Sequence, residues 1–237
     1  MTKRPAFVLT KKDLFILELA HQFGFITHNG VALLSGCANE KSRYISTHNT
    51  LKRLVKADLL RKERRLLDHG SAPLTLTPAG AKLLPDATPT PAPAISNFYH
   101  NEQTLLLAMR LLREDPTATL VGWRQLMASD AYTKALRLRH QASMPRPHCP
   151  DFVLDGIAFE LELNIKTVDR YREIFDAGKE NPDFESVVYV CATQKILDRV
   201  ADKGLNYRLG KPIVCYFVDM VPPLNQIRTD LERTRKT

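Results

Sequence analysis

Four carboxylates fall within twelve residues in the segment PDFVLDGIAFELELNIKTVDRY, which begins at Pro150, and three of them are candidates for one shared site: Asp151, Glu160 and Glu162. Asp151 opens one apolar run, and Glu160 and Glu162 alternate with apolar residues in the next run, residues 157–163. Side chains two residues apart in a strand point to the same side. The two glutamates are therefore expected on one face of a strand.

A tight hairpin is predicted to bring the aspartate to the same place. The dipeptide at 155–156 is Asp-Gly, which between two apolar runs is the strongest short-range hairpin signal. A two-residue turn pairs Leu154 with Ile157, and counting outward places Asp151 directly opposite Glu160. All three acids are then expected to converge on one face.

Carboxylates that oppose each other across a sheet repel, so this pattern predicts a cation that neutralises them. Hard oxygen ligands suit Mg²⁺ or Mn²⁺, and such an ion held by acids is typical of metal-dependent phosphodiester cleavage. Lys166, four residues after Glu162, is placed to stabilise charge on a phosphate or to orient the attacking water. The alternative is an ordinary solvated face, which the apolar opposite face of both runs disfavours because it makes the strands central.

The composition is that of a globular protein, with 44% hydrophobic and 25% charged residues among 237. No apolar run approaches the roughly 18 residues of a membrane helix, and the run at residues 6–9 is too short for a signal peptide. The four cysteines are isolated and fit neither a zinc site nor a disulfide framework: Cys37, Cys149, Cys191 and Cys215. These features predict a cytoplasmic protein with reduced thiols.

The net charge of +8 is confined to the first third of the chain. Residues 1–84 contain 14 Lys and Arg against 6 Asp and Glu, whereas residues 85–237 contain 20 of each. A basic segment of this kind is typical of a protein that binds a polyanion.

The basic segment itself predicts three helices, a hairpin and a short closing helix. Thr10 is a natural N-cap for a helix over 11–23, a short helix follows at 29–34, and a longer amphipathic pattern runs from Tyr44 to Leu60. The stretch LLRKERRLLDHGSAPLTLTPAGAKLL then indicates two strands and a helix that begins at Thr77-Pro78.

This order is the layout of a winged helix-turn-helix, in which the third helix enters the major groove of double-stranded DNA and the hairpin follows the phosphates. The residues predicted to bind DNA are the polar and basic ones of the third helix and first strand: Lys41, Arg43, Thr47, His48, Asn49, Lys52, Arg53, Arg61, Lys62, Arg64 and Arg65. The alternative is that such a domain binds protein and its basic face is merely solvated.

The segment at 85–96, PDATPTPAPAIS, is rich in proline and alanine and predicts an extended linker. It divides the chain into a DNA-binding domain over 1–84 and a larger α+β or α/β domain over 97–237. The pattern of that second domain predicts helix, strand, the acidic hairpin, helix, strand, helix and strand. A further helix is predicted at 129–140, and a polar tail or last helix at 228–236.

Helix, strand, strand, strand, helix, strand resembles the ordered core of the restriction-endonuclease-like, or PD-(D/E)XK, nuclease fold. The whole chain, with a winged helix, a proline-rich linker, then PD and ELEL.IKT..RY, resembles the replication-relaxation family, which includes MobC-type plasmid mobilisation relaxases. The resemblance implies that Asp151 and Glu160 bind the metal. It also implies that Glu162 stands where the fold usually has lysine, so that Glu162 either joins the metal shell or orients water while Lys166 replaces the lysine.

Two further residues are candidates on the same grounds. Tyr171 matches the family pattern as an auxiliary residue, and Glu102 lies in the first helix of the domain, where such nucleases often place another acidic ligand. For Glu102 the alternative is a carboxylate that the dipole at a helix start favours.

Two functions follow as hypotheses. The first is a Mg²⁺- or Mn²⁺-dependent DNA endonuclease or nickase, a mobilisation relaxase at a plasmid origin of transfer, working with other mobilisation or coupling proteins. The seven histidines never form a His-x-His pair, which disfavours the histidine-cluster chemistry of conventional relaxases. The second is a non-catalytic DNA-binding accessory or a regulator of transcription or replication, with an inactive nuclease-like domain; the missing lysine favours it.

Overall fold

The computed structural model describes residues 8–35, 39–64, 71–129, 132, 148–179, 181–202 and 209–235. The chain divides into two units, residues 1–110 and 111–237. Together they form an α+β protein of helices, one two-stranded sheet and one five-stranded mixed sheet. No helix in the described ranges combines the length and the hydropathy that a membrane crossing requires.

The first unit consists of helices and one antiparallel hairpin. In chain order its elements are α1 (Lys11–Phe23), α2 (His28–Leu33), α3 (Glu40–Lys56), β1 (Leu60–Lys62), β2 (Leu74–Leu76), α4 (Pro78–Ala81) and α5 (Ile95–Glu114), the last four residues of which belong to the second unit.

Side-chain caps start these helices where the sequence predicts. Thr10 and Asp13 form a capping box at α1, in which the Thr10 hydroxyl accepts from the Asp13 N–H and the Asp13 carboxylate accepts from the Thr10 N–H. Thr77 caps α4 with Pro78 at its first position. Gly80 in that helix packs so tightly on the hairpin that a Cβ would lie 2.3 Å from the Leu59 carbonyl oxygen. The order of elements predicted for this region is confirmed.

The proline-rich segment is in contact with the hairpin. Thr90 is 3% exposed; its hydroxyl accepts a 2.7 Å hydrogen bond from the Leu76 N–H, and its N–H donates to the Leu76 carbonyl. The beginning of α5 also packs within the first unit, since the rings of Phe25 and Phe98 lie 5.1 Å apart. The division between the units therefore falls inside α5, whereas composition predicts it at 85–96. Independent folding of the predicted domains stays a prediction.

The second unit is built on the five-stranded sheet. Its elements are β3 (Leu120–Gly122), α6 (Trp123–Ala128), β4 (Phe152–Leu154), β5 (Ile157–Glu162), α7 (Val168–Lys179), β6 (Ser186–Cys191), α8 (Gln194–Val200), β7 (Ile213–Phe217), a 3₁₀ turn (Val218–Met220) and α9 (Leu224–Arg235). The strand order is β3-β4-β5-β6-β7; the first three strands are antiparallel, and β5, β6 and β7 are parallel. Strand β5 is therefore central.

Both faces of the central strands are buried. Phe152 and Phe159 stack on one face with ring centroids 4.7 Å apart. On the other face Ala158 joins a core that includes Tyr171 and Phe175 of α7. The acids of β5 alternate with Phe159, so they lie on the α7 side of the sheet.

Several predicted boundaries differ. The third helix ends at Lys56, because Ala57 and Asp58 turn the chain into β1. A helix that the sequence did not predict, α6, begins at Trp123. The last helix begins at Leu224, four residues earlier than expected, since Leu224, Ile227 and Leu231 give it a buried face. The helix predicted at 129–140 lies almost wholly outside the described residues.

Candidate functional site

The β4–β5 hairpin sets the geometry of the acidic residues. Asp155 and Gly156 both have positive φ values, 49° and 74°, as a two-residue type I′ turn requires. The turn pairs Leu154 with Ile157. The predicted register is confirmed.

This register brings the three acids to one face. The Asp151 N–H donates to the Phe159 carbonyl, which continues the ladder by one residue and sets Asp151 opposite Glu160. Glu160 and Glu162 are only 6% and 2% exposed. The face that carries them is covered by α7, so these glutamates do not lie on a solvated surface.

Asp151 is held to the neighbouring strand by its side chain as well as by its backbone. One carboxylate oxygen accepts a 2.7 Å hydrogen bond from the Leu161 N–H. The acid therefore helps to fix the end of the ladder, whatever else it does.

Glu160 is paired with a histidine. His148 Nε2 lies 2.5 Å from Glu160 Oε1, and both side chains are largely buried. Burial lowers the pKa of His148, but the charge of Glu160 and the hydrogen bond to it outweigh burial and raise that pKa above its ordinary value. The imidazole is thus favoured in its protonated form beside the carboxylate.

Glu162 is paired with Lys166, which lies four residues later in the sequence. The Lys166 ammonium donates to Glu162 Oε1 and lies 5.7 Å from the centre of the Tyr171 ring. Burial raises the pKa of Glu162, and the charge of Lys166 lowers it by less, so the net direction is upward. Lys166 keeps about a third of its side chain exposed.

Protein groups therefore supply the positive charge that the sequence argument assigned to a metal ion. His148 faces Glu160, and Lys166 faces Glu162. Each glutamate therefore has a basic partner in the same chain, while the charge of Asp151 still acts to raise the pKa of Glu162. The bound metal ion stays a prediction. Sequence reasoning missed His148; the available signal was its position three residues before Asp151, at the entrance to the hairpin.

The donor atoms nevertheless suit a hard cation. Carboxylate oxygens are the ligands that Mg²⁺ and Mn²⁺ take. Within the described ranges, however, no three His, Cys, Asp or Glu side chains are grouped so that they could hold a metal ion. The set fits such an ion by chemistry, although one oxygen of Glu160 and one of Glu162 already contact His148 and Lys166.

Two other candidates lie in the cores. Tyr171 is fully buried on α7, and burial and the charge of Glu162 raise the pKa of its hydroxyl. Glu102 belongs to the first unit, where it is 5% exposed; burial raises its pKa, and a hydrogen bond with Thr27 at the start of α2 lowers it by less. Neither side chain is presented to solvent.

Most of the predicted DNA-binding residues are exposed on α3, β1 and the residues beside them. The exposed ones are Lys41, His48, Asn49, Lys52, Arg61, Lys62 and Arg64, and Arg43 is half-buried. Arg65 lies outside the described residues.

For two residues of that set, Thr47 and Arg53, the prediction of DNA contact is corrected. Thr47 has no exposed surface, because it lies on the same side of α3 as Leu51 and Leu54, and so it cannot face DNA. Arg53 is turned toward α1, where its guanidinium lies 2.5 Å from the carboxylate of Asp13. Burial raises the pKa of Asp13, but hydrogen bonds from Arg53 and Thr10 outweigh it and hold that pKa below the ordinary value.

The three described cysteines are not in disulfides, and burial raises the pKa of each thiol to about 12: Cys149, Cys191 and Cys215. Thiols of this kind are unreactive. Cys37 lies outside the described residues.

No family model, curated protein or solved structure matches this chain. The resemblance to the replication-relaxation family therefore stays a hypothesis, and a function has to follow from the residues themselves.

Proposed function

We propose that the protein is a DNA-binding endonuclease or nickase that depends on Mg²⁺ or Mn²⁺. The observation that carries the proposal is the placement of Asp151, Glu160 and Glu162 on one buried face of two central antiparallel strands. Buried acids at the centre of a sheet are costly even when they are paired, and a metal-binding function would account for three of them on one face. Strand β5 then connects through α7 to the parallel strand β6, the order that the restriction-endonuclease-like fold shares.

The first unit supplies the affinity for DNA in this proposal. Its first three helices and the hairpin that follows have the element order of a winged helix-turn-helix, and Lys52 on α3 and Lys62 on β1 are exposed. Exposed cations release condensed counterions from DNA on binding, which makes the affinity strong and salt-dependent. Double-stranded DNA is the proposed partner.

In the second unit each side chain has a distinct task. Asp151 and Glu160 would hold the metal ion, Glu162 would either join them or orient water, and Lys166 would neutralise charge on the phosphate. When bound, such an ion lowers the pKa of water and polarises the phosphodiester. Because Tyr171 is fully buried, water and not Tyr171 is the proposed nucleophile. Glu102, in the core of the first unit, is not part of the proposed site.

The family resemblance gives the proposal a biological setting. A relaxase of the MobC type would act at a plasmid origin of transfer together with other mobilisation proteins. This part rests on the sequence motifs alone.

A second candidate function has its own supporting observation. His148 and Lys166 each contact one of the two glutamates, so basic groups of the chain itself can offset the negative charge of the acids. A non-catalytic DNA-binding accessory or regulator, in which the acids and cations only hold the sheet together, would have this arrangement.

Nicking of supercoiled plasmid separates the two functions. Purified protein is incubated with plasmid and Mg²⁺ or Mn²⁺, with the host's own transfer or replication origin either present or absent, and EDTA serves as the metal-free reaction. The nuclease proposal expects metal-dependent open circles. Asp151→Asn and Glu160→Gln should abolish nicking, since each removes a negative charge but keeps the shape and an acceptor oxygen.

The matched control is Glu173→Gln on the exposed side of α7, which should nick like the wild type. DNA affinity is measured in parallel and should be unchanged in all three variants, because the first unit supplies it. If Asp151→Asn and Glu160→Gln nick as fast as the wild type, or if the wild type binds DNA and never nicks it, the accessory function replaces the nuclease.

A further inference from the structure

The first unit contains a cleft of about 340 Å³ between α3 and the β1–β2 hairpin. The side chains that line it include three aromatic rings, two lysines and a leucine: His28, Tyr44, His48, Lys52, Lys62 and Leu51. We refer to it as the aromatic–lysine cleft. Its volume lies at the lower end of the range of small-ligand pockets, roughly 300–1,000 Å³.

The three rings form a continuous aromatic wall. The centroids of His28 and Tyr44 are 4.3 Å apart, and those of Tyr44 and His48 are 6.3 Å apart with ring planes only 8° from parallel. His28 Nε2 also lies 3.3 Å from the Tyr44 carbonyl oxygen, a contact that links α2 to α3. Tyr44 itself is 58% exposed. A ring held by its neighbours and open to solvent is a prepared stacking surface.

The lysines add positive charge beside this wall. Tyr44, His48 and Lys52 follow one another at intervals of four residues along α3, so they lie on one side of the helix. Lys62 reaches the cleft from β1. Within the part of the chain that the structure describes, neither lysine has a carboxylate partner, so both remain available to a phosphate.

We propose that the aromatic–lysine cleft binds an unpaired DNA base together with its phosphate. Paired bases present only their edges in a groove, whereas a stacked ring needs the face of a base that has left the helix. Aromatic side chains with nearby cations are the means by which proteins bind unpaired nucleotides.

This inference rests on the proposed DNA binding by the first unit and makes it more specific. The protein would prefer DNA with an extrahelical base, a bulge or a melted step over fully paired DNA. A strand that is opened beside a nicking site offers such a base.

The test compares two duplexes of the same sequence, one fully paired and one with a single bulged 2-aminopurine. Binding of the full chain is followed by fluorescence anisotropy of an end label, and stacking by quenching of the 2-aminopurine. We expect the bulged duplex to bind about tenfold more tightly, which corresponds to about 1.4 kcal/mol, and its 2-aminopurine emission to fall on binding.

Tyr44→Ala should remove the preference and the quenching while affinity for the paired duplex stays within about twofold. Tyr44→Phe keeps the ring and should keep both. Ile45→Ala is the matched control, since Ile45 is a similarly exposed neighbour on α3 that does not line the cleft, and it should behave like the wild type.

The outcomes are distinguishable. Equal binding of both duplexes, or quenching that persists in Tyr44→Ala, overturns the cleft as a base-binding site and leaves DNA binding intact. Failure to bind either duplex at low salt overturns the inference and the proposed DNA binding together.

Discussion

Charged side chains are used in opposite ways in the two units. In the first unit Lys52 and Lys62 are exposed and have no ion-pair partner within the described ranges. In the second unit Glu160 and Glu162 are buried, and each is paired with a cation of the same chain. Charges of the first kind contribute little to folding and are available to a ligand. Those of the second kind must be satisfied for the unit to fold.

Arg53 shows that the position of a basic residue on α3 does not by itself say whether its charge is available to a ligand or is used in folding. It follows Lys52 in sequence, yet its guanidinium reaches the buried carboxylate of Asp13. Loss of Lys52 is therefore expected to change binding, whereas loss of Arg53 is expected to change stability. Substitutions that exploit this difference test the comparison directly.

The largest effect is expected from His148→Ala. It leaves Glu160 buried without its partner, and breaking a buried pair costs about 3 kcal/mol of unfolding free energy. Trp123, the single tryptophan of the chain, lies in the second unit and reports its unfolding in urea. The urea concentration at the midpoint of this unfolding transition should fall, and the stability of the first unit should not change.

An exposed pair in the same unit provides the control for that experiment. Arg170 and Glu173 form an i,i+3 ion pair on α7, with 39% and 44% of their side chains exposed. Glu173→Ala should cost at most about 0.5 kcal/mol. A cost for His148→Ala as small as this would mean that the contact with His148 contributes no more to folding than an exposed ion pair does.

Arg53→Ala should destabilise the first unit by about 1.5 kcal/mol, since it removes a hydrogen bond to a buried carboxylate. Hydrogen exchange of the α1 amides measures this loss in the full chain. Lys52→Ala, one residue earlier, should leave exchange unchanged. The assignment of Arg53 to stability fails if the two variants exchange alike.

The ion pair between Arg53 and Asp13 also predicts that the stability of the first unit depends on pH in the acid range. The pKa of Asp13 is lowered from 3.8 in the folded state, so its contribution to stability is complete above about 3.8 and is lost as the pH falls through the lower folded value. Arg53→Ala removes one cause of the lowering. Its helical circular dichroism should be lost at a higher pH than that of the wild type, and coincident acid transitions would contradict the role of Arg53.

The smallest effect is expected from Lys62→Ala. It removes one phosphate contact, which should reduce the slope of log K against log salt for duplex DNA by about 0.9. Folding stability should not change, because Lys62 is exposed. Lys195→Ala, an exposed lysine on α8, should leave the slope as it is; an equal reduction there would mean that DNA covers the second unit as well.

Elements with a local signal were predictable from sequence. The Asp-Gly turn requires positive φ at two adjacent residues, a conformation that few other dipeptides adopt, and this alone fixed the register of Asp151 and Glu160. The β-branched run at 186–191 has the observed bounds of β6. Both depend on residues that are neighbours in the chain.

The face that α3 buries was harder to predict. Tyr44 and Ile45 were expected on its apolar side, yet they are exposed, while the polar Thr47 is buried. Helical spacing places Thr47 on the same face as Leu51 and Leu54, so the 3.6-residue period indicated correctly that Thr47 is buried. Its polar side chain predicted the opposite. The length of a helix that is covered depends on the elements that pack against it, and the spacing of residues within the helix does not predict those contacts.

The pairing of the acids was outside the reach of sequence patterns. Whether a carboxylate meets a metal, His148 or Lys166 depends on side-chain rotamers and on how residues before the hairpin approach it. The sequence predicted the convergence of Asp151, Glu160 and Glu162 and could not predict their partners.

The contact between Thr90 and Leu76 has a practical consequence for making the first unit alone. A fragment that ends at residue 84, where composition places the boundary, would strip β2 of both hydrogen bonds that Thr90 gives it. The uncovered strand would present an unpaired N–H and carbonyl to other chains, the kind of edge through which proteins aggregate. A soluble fragment should therefore be cut beyond the first turns of α5, so that Thr90 and Phe98 are retained.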